Sequence, residues 1–191
     1  MATHVRGAAR RAQLLDQLSA LFLAEGFAHL TLDELATRLR CSKSTLYGLA
    51  ESKEQLVRAA AIHFFRGATD QVEGRLAGEA GARDRIRTYL EAVGEQLRPA
   101  SRRFMDDVAA NATVREVYEV NTAFAARRVQ ELITEGVRSG EFRDVHAAFV
   151  AEVASSTMVR IQRRQVSAAT GLDDAQAYGE LAALLTHGLT P

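Results

Sequence analysis

Leu14, Leu18, Leu21 and Phe22 fall at i, i+4, i+7 and i+8, which places one apolar stripe along a helix. Leu32, Leu35, Ala36 and Leu39 repeat the pattern on a much shorter segment. A long helix runs from Leu56 to about Leu76, carrying Ile62, Phe65 and Val72. The same period predicts helices over Asp84–Leu97, Ser101–Asn111, Val114–Arg138, Val145–Val166 and Asp173–Leu189. Gly26, Gly81, Gly140 and Gly171 punctuate them. Strand signals are missing: no period-2 run of β-branched residues is sustained, and no Asn-Gly or Asp-Gly hairpin occurs. The two prolines, Pro99 and Pro191, leave almost nothing to interrupt a helix. The expected fold class is all-α, with about nine helices.

Composition changes this picture little, and charge changes it locally. With 191 residues the chain can bury a substantial core as one large domain or two small ones. No apolar run reaches the roughly 18 residues of a membrane span. The first 13 residues hold Arg6, Arg10 and Arg11 without an apolar block behind them, so no secretory signal is expected. The single cysteine, Cys41, cannot form an internal disulfide, which fits a cytoplasmic setting. The 24 basic and 24 acidic residues cancel, which removes the argument for nucleic-acid binding from bulk charge. Residues 1–58 nevertheless carry 8 Lys+Arg against 6 Asp+Glu and hold both lysines, Lys43 and Lys53. Any case for DNA must therefore be local.

The local case lies between two capping boxes. Thr31-Leu-Asp-Glu34 predicts one helix start, and Ser52-Lys-Glu-Gln55 predicts another at the head of the long helix. Between them the spacing predicts a short amphipathic helix, a turn of three or four residues, and a second short helix beginning near Ser42 to Ser44. Two such helices cannot bury their apolar faces alone, so the Leu14–Leu23 helix is expected to pack across them. Ala36 is small where the two helices approach, and Leu39, Cys41 and Leu46 are expected in the shared core. The second helix offers Lys43, Ser44, Thr45 and Tyr47 at or near its N-terminal end. These donors suit phosphate and base edges in a major groove. Lys53 and the next helix start can hold a flanking phosphate. A solvated polar turn in an ordinary helical protein is the competing reading of the spacing alone.

Leu14–Leu56 resembles the N-terminal domain of the tetracycline-repressor (TetR) family of bacterial transcriptional regulators. The matching pieces are Leu21-Phe22, Glu25-Gly26-Phe27, Thr31-Leu-Asp-Glu-Leu-Ala36, Ser42-Lys-Ser-Thr-Leu-Tyr47 and Ser52-Lys-Glu-Gln-Leu56. The resemblance implies a homodimer on a palindromic double-stranded DNA operator, with later helices forming a ligand pocket and the dimer interface. It places Thr31, Ser42, Ser44, Thr45, Tyr47 and Lys53 at positions that commonly touch DNA, with Lys43 in the same motif. Three departures stand out. Arg40 replaces the usual turn glycine, and a positive φ there would be strained, so it marks either a different turn or an added backbone contact. Gly48, Leu49 and Ala50 stand where further aromatics are common, so the usual second phosphate-binding phenol is missing. The basic arm of Arg6, Arg10 and Arg11 could substitute for that grip, or could be a frayed terminus.

The resemblance divides the chain into a helix-turn-helix DNA-binding domain, residues 1–55, and a helical ligand-binding and dimerisation domain, residues 56–191. Candidate ligand contacts are Phe65, Tyr89, Phe104, Met105, Tyr118, Asn121, Phe124 and Met158, each with ordinary core packing as the other reading. Arg102, Arg103, Arg127 and Arg128 could meet an anionic effector or lie on exposed surface. The dimer interface is expected on the last two helices, through Phe149, Val153, Met158 and Ile161 and through Tyr178, Leu181, Leu184 and Leu185. No catalytic motif, metal-ligand spacing or cofactor loop is found, and the five histidines are scattered. The expectation is a cytoplasmic, ligand-responsive repressor rather than an enzyme, released from its operator by a small-molecule effector of unknown identity. An α-helical binding protein or enzyme with an incidental helix-turn-helix is the alternative, and a helical protein-interaction module is a further one.

Overall fold

The computed structural model describes the backbone of residues 2–189 and side chains from residue 7 onward; Arg6, named above, has its side chain outside that set. Ten helices and no strand occur among the described residues. They are α1 (Ala2–Glu25), α2 (Leu32–Arg38), α3 (Lys43–Tyr47), α4 (Lys53–Leu76), α5 (Ala82–Leu97), α6 (Arg102–Ala110), α7 (Ala112–Ser139), α8 (Ala147–Gln162), α9 (Gln165–Thr170) and α10 (Asp174–Leu189).

Two helices differ from the sequence expectation. The first begins at Ala2 rather than near Leu14, because residues 2–13 are rich in good helix formers but carry no apolar stripe. The run expected from Val145 to Val166 breaks at Arg163–Arg164, where Arg164 adopts φ 60°. No glycine or proline marks that break. Arg164 Nη1 instead donates to the Asp174 carboxylate at 3.3 Å, a contact made across a second turn.

The chain forms two compact units. The first comprises residues 1–67 and 99–118, and the second residues 68–98 and 119–191. This division does not follow a cut at residue 55, because α6 and the start of α7 pack with the N-terminal helices. Both α4 and α7 contribute residues to each unit.

In the first unit α1 buries Leu14, Leu15, Leu18, Phe22 and Leu23, the stripe seen in the sequence with Leu21 only partly covered. Leu35 and Ala36 of α2, Leu46 of α3, and Leu56, Val57, Ala60 and Ala61 of α4 complete that core. Leu39 and Cys41 are half-buried at its edge rather than inside it. Helix α6 closes onto the α1–α2 loop. Ser101 caps α6 through the Phe104 N–H, and its own N–H donates to the Leu23 carbonyl at 2.7 Å. The Asp107 carboxylate accepts from the Phe27 and Ala28 N–H groups at 2.6 and 2.9 Å. Gly26, at φ 78°, lets the loop come this close: a Cβ there would lie 2.5 Å from Asp107 Oδ2.

The second unit is built on α5 against α10. Gly94 of α5 lets α10 approach so closely that a Cβ would sit 3.1 Å from the Ala175 carbonyl. Ile86, Leu90, Leu132, Ile133, Met158 and Ile161 are its most deeply buried large side chains.

Candidate nucleic-acid interface

Helix α2 begins as its sequence requires. Thr31 is extended, its hydroxyl accepts from the Glu34 N–H at 3.2 Å, and the Glu34 carboxylate accepts from the Thr31 N–H at 2.7 Å. Those hydrogen bonds from Thr31 hold the Glu34 carboxyl below the usual carboxylate range. The helix ends at Leu39, and the chain turns through Arg40 at φ 50°. The position where the resemblance leads one to expect glycine therefore keeps a left-handed backbone with an arginine on it, a strained conformation for a residue with a Cβ.

Helix α3 is five residues long and is capped by Ser42, whose hydroxyl accepts from the Thr45 N–H at 3.2 Å. Ser42 Oγ also lies 2.7 Å from Ser44 Oγ and 2.9 Å from Thr45 Oγ1, so three hydroxyls gather at the helix start. Ser42, Lys43, Ser44 and Tyr47 are exposed, and Thr45 is half-buried. Tyr47 is 52% exposed although it is aromatic. Lys43 Nζ sits 2.6 Å from the Asp33 carboxylate, and that hydrogen bond raises the lysine above its ordinary range. The pair is exposed and therefore weak, so Lys43 can exchange Asp33 for another anion at little cost.

The second capping box opens α4, with a shifted return bond. Ser52 Oγ accepts from the Gln55 N–H at 3.1 Å, while the Gln55 side chain accepts from the Glu51 N–H at 3.1 Å. Lys53 Nζ donates to the Ala28 carbonyl at 2.9 Å, which ties the head of α4 to the α1–α2 loop. Arg11 was not predicted to have a partner inside the domain. Its guanidinium donates to the Gly48 and Leu49 carbonyls at 3.1 and 3.0 Å, just beyond the C-terminal end of α3. The backbone of the basic arm is thus the first part of α1, and Arg11 faces the domain.

These groups share one unit, and they combine a short solvent-facing helix, clustered hydroxyls, a loosely held lysine and an exposed phenol. Residues 14–60 match the family model for bacterial regulatory proteins of the tetR family. This stretch is similar to the N-terminal domain of TetR-family regulators. Solved structures extend the likeness to the whole fold. A TetR transcriptional regulator from Chloroflexus aurantiacus is 23% identical, with TM-score 0.72 over 97% of this chain and 98% of its own. A TetR transcription regulator from Haloarcula marismortui is 16% identical, with TM-score 0.74 over 96% and 100%. A protein from Saccharomonospora viridis, described as a transcriptional regulator and solved in complex with choline, is 18% identical, with TM-score 0.75 over 96% and 99%. A comparison with curated protein sequences gives no significant match. At these identities the solved structures establish a shared fold, and the family likeness itself rests on residues 14–60.

The candidate ligand residues divide between the two units. Phe65, Phe104, Met105 and Tyr118 are buried in the first unit, where the Phe65 and Tyr118 rings meet edge-on at 5.2 Å. A crevice beside them, lined by Phe22, Val57, Phe64, Phe65, Phe104 and Val114, has a volume of about 10 Å³, at most one water. In the second unit Tyr89 and Met158 are buried, Asn121 is half-buried, and Phe124 is 61% exposed beneath the Arg127 guanidinium. Burial pushes the Tyr89 phenol well above its ordinary range. Arg128 is committed to Glu73 and Glu131, so it is not a free cation for an effector.

The dimer candidates divide by exposure. Phe149, Val153 and Leu184 are 67%, 42% and 68% exposed. Met158, Ile161, Tyr178, Leu181 and Leu185 are already buried within the chain. The correction has a simple cause: α10 lays its apolar face on α5, so α8 and α10 need less partner surface than their lengths suggest.

Proposed function

We propose that this chain is a TetR-family transcriptional regulator, a cytoplasmic repressor that binds a palindromic operator as a homodimer and leaves it when a small-molecule effector binds. The observation that carries the DNA contact is the hydroxyl-capped α3, which presents Ser42, Lys43, Ser44 and Tyr47 to solvent on a single buried anchor, Leu46. In this reading α3 enters the major groove, and its first residues meet base edges. Thr31, Arg40, Thr45 and Lys53 hold phosphate at its sides. Thr31 and Ser42 are caps whose helix starts favour anions, and Lys53 needs only to leave the Ala28 carbonyl.

Homodimerisation is supported by Phe149, Val153 and Leu184, large apolar side chains left in solvent on the last two long helices. A twofold axis through such a patch would set two copies of α3 about one helical turn of DNA apart, roughly 34 Å or somewhat more. Phe65, Tyr89, Phe104, Met105, Tyr118, Asn121, Phe124 and Met158 remain the proposed effector contacts. An effector shifts the equilibrium only by preferring the state that misplaces α3, and α4, which belongs to both units, is the natural route for that preference. The choline complex of the Saccharomonospora viridis protein is consistent with a ligand-bound state in this fold.

The test is selection of duplexes from a randomised pool, followed by titration over a range of salt. A specific palindromic sequence should emerge, and its affinity should fall by orders of magnitude between about 50 and 200 mM salt. Lys43→Ala and Tyr47→Ala should each weaken it by about tenfold. Recovery of no preferred sequence, or indifference to both substitutions, would overturn the reading.

A further inference from the structure

We infer that Arg11 is a positioning residue for the recognition helix: it clamps the C-terminal end of α3 from α1, so that the groove-facing residues are held at a fixed angle. This rests on the DNA-binding reading above. Helix α3 has five residues, too few to be stable by its own hydrogen bonds. Its only buried side chain is Leu46, and one anchor fixes a position without fixing an orientation. The N-terminal end is tied by the Ser42 hydroxyl cluster, to which the exposed Lys43–Asp33 pair adds little.

At the other end the backbone N–H groups are used: Gly48 donates to Ser44, Leu49 to Leu46, and Ala50 to Leu46. The Gly48 and Leu49 carbonyls lie at and just beyond the C-cap, next to the helix's negative end. Arg11 meets both at once, Gly48 O at 3.1 Å and Leu49 O at 3.0 Å, from 37 and 38 residues away in sequence. A planar fork on two carbonyls fixes direction as well as distance, which a single ammonium could not do. The positive charge also suits the helix end it meets. Gly48 and Ala50 have little or no side chain and Leu49 is only half-buried, so packing holds this end weakly and the clamp from α1 adds to it.

The experiment compares wild type, Arg11→Gln and Arg11→Lys in two readouts. The first is amide exchange at residues 46–50 in the free protein. The second is the affinity and salt slope for a duplex selected by wild type from a random pool. For Arg11→Gln, exchange at residues 46–50 should quicken by about tenfold, and affinity should fall by about tenfold. The salt slope should stay unchanged, because no phosphate contact is lost, and Arg11→Lys should restore part of both losses. A slope shallower by about 0.9 would assign Arg11 to a phosphate and overturn the inference, as would unchanged exchange at residues 46–50. If wild type selects no duplex, the functional reading fails, and exchange in the free protein still decides whether Arg11 holds the helix.

Discussion

Two arginines carry a left-handed backbone, Arg40 at φ 50° and Arg164 at φ 60°, and their surroundings differ. Arg164 is tied to Asp174, whereas no hydrogen bond or ion pair holds the Arg40 side chain among the described residues. Its strain is therefore uncompensated inside the chain, and in the proposed DNA-bound state a phosphate beside the turn would offset it. Arg40→Gly should raise stability by about 1 kcal/mol in thermal unfolding, the left-handed strain outweighing the added freedom of the unfolded chain. The same substitution should weaken operator binding, which separates the two roles of the residue. Asp174 offers a second test. Burial raises its carboxyl above the ordinary 3.8, against the opposing pull of Arg164. The folded state thus takes up that proton more readily than the unfolded chain. The associated stability is fully present below 3.8 and is lost as pH rises through the raised value. Wild type should therefore lose stability relative to Asp174→Asn as pH increases from below 3.8 to neutrality, as read by denaturant midpoints at each pH.

Between elements, α6 is fastened to the α1–α2 loop by polar bonds as well as by packing. Phe104 contributes an edge-on contact with Phe27 at 6.2 Å, and Asp107 accepts two loop N–H groups. Lys53 reaches the carbonyl of the same loop residue, Ala28, from the head of α4. The loop that leads into the Thr31 cap is thus held from two helices distant in sequence. Asp107→Ala would leave two backbone donors without their acceptor, and it should cost about 1–3 kcal/mol in denaturant unfolding. Amide exchange at Phe27 and Ala28 should quicken by more than at any residue of α5. Equal exchange at the two sites in wild type and variant would show that packing alone holds the loop.

For the molecule as a whole, the exposed apolar residues on α8 and α10 decide whether the chain acts alone. Phe149 and Leu184 leave about two thirds of their surface in water, which a second copy would cover. Wild type should sediment as a dimer with an unfolding temperature that rises with protein concentration. Phe149→Glu combined with Leu184→Glu should give a monomer whose unfolding temperature is independent of concentration. Helical content should be retained, because neither side chain belongs to the chain's own core. A persisting dimer would move the interface elsewhere.

What the sequence determined by itself was local. The period of apolar residues is a property of neighbouring turns, so the all-α class and most helices were legible from it, and so were both capping boxes, whose partners lie three or four residues apart. At Arg40 the sequence marked only a departure from the usual turn glycine, and the structure decided for a left-handed backbone over a different turn. The tertiary structure decided whatever depends on partners far along the chain. The break at Arg164 is joined to Asp174, the roles of Arg11 and Asp107 are set by backbone groups 37 to 80 residues away, and burial on α10 depends on α5. Apolar spacing identifies a face that must be covered, but it cannot say whether this chain or a second copy covers it. That is why five of the eight expected interface residues lie inside the protein while Phe149, Val153 and Leu184 remain in solvent.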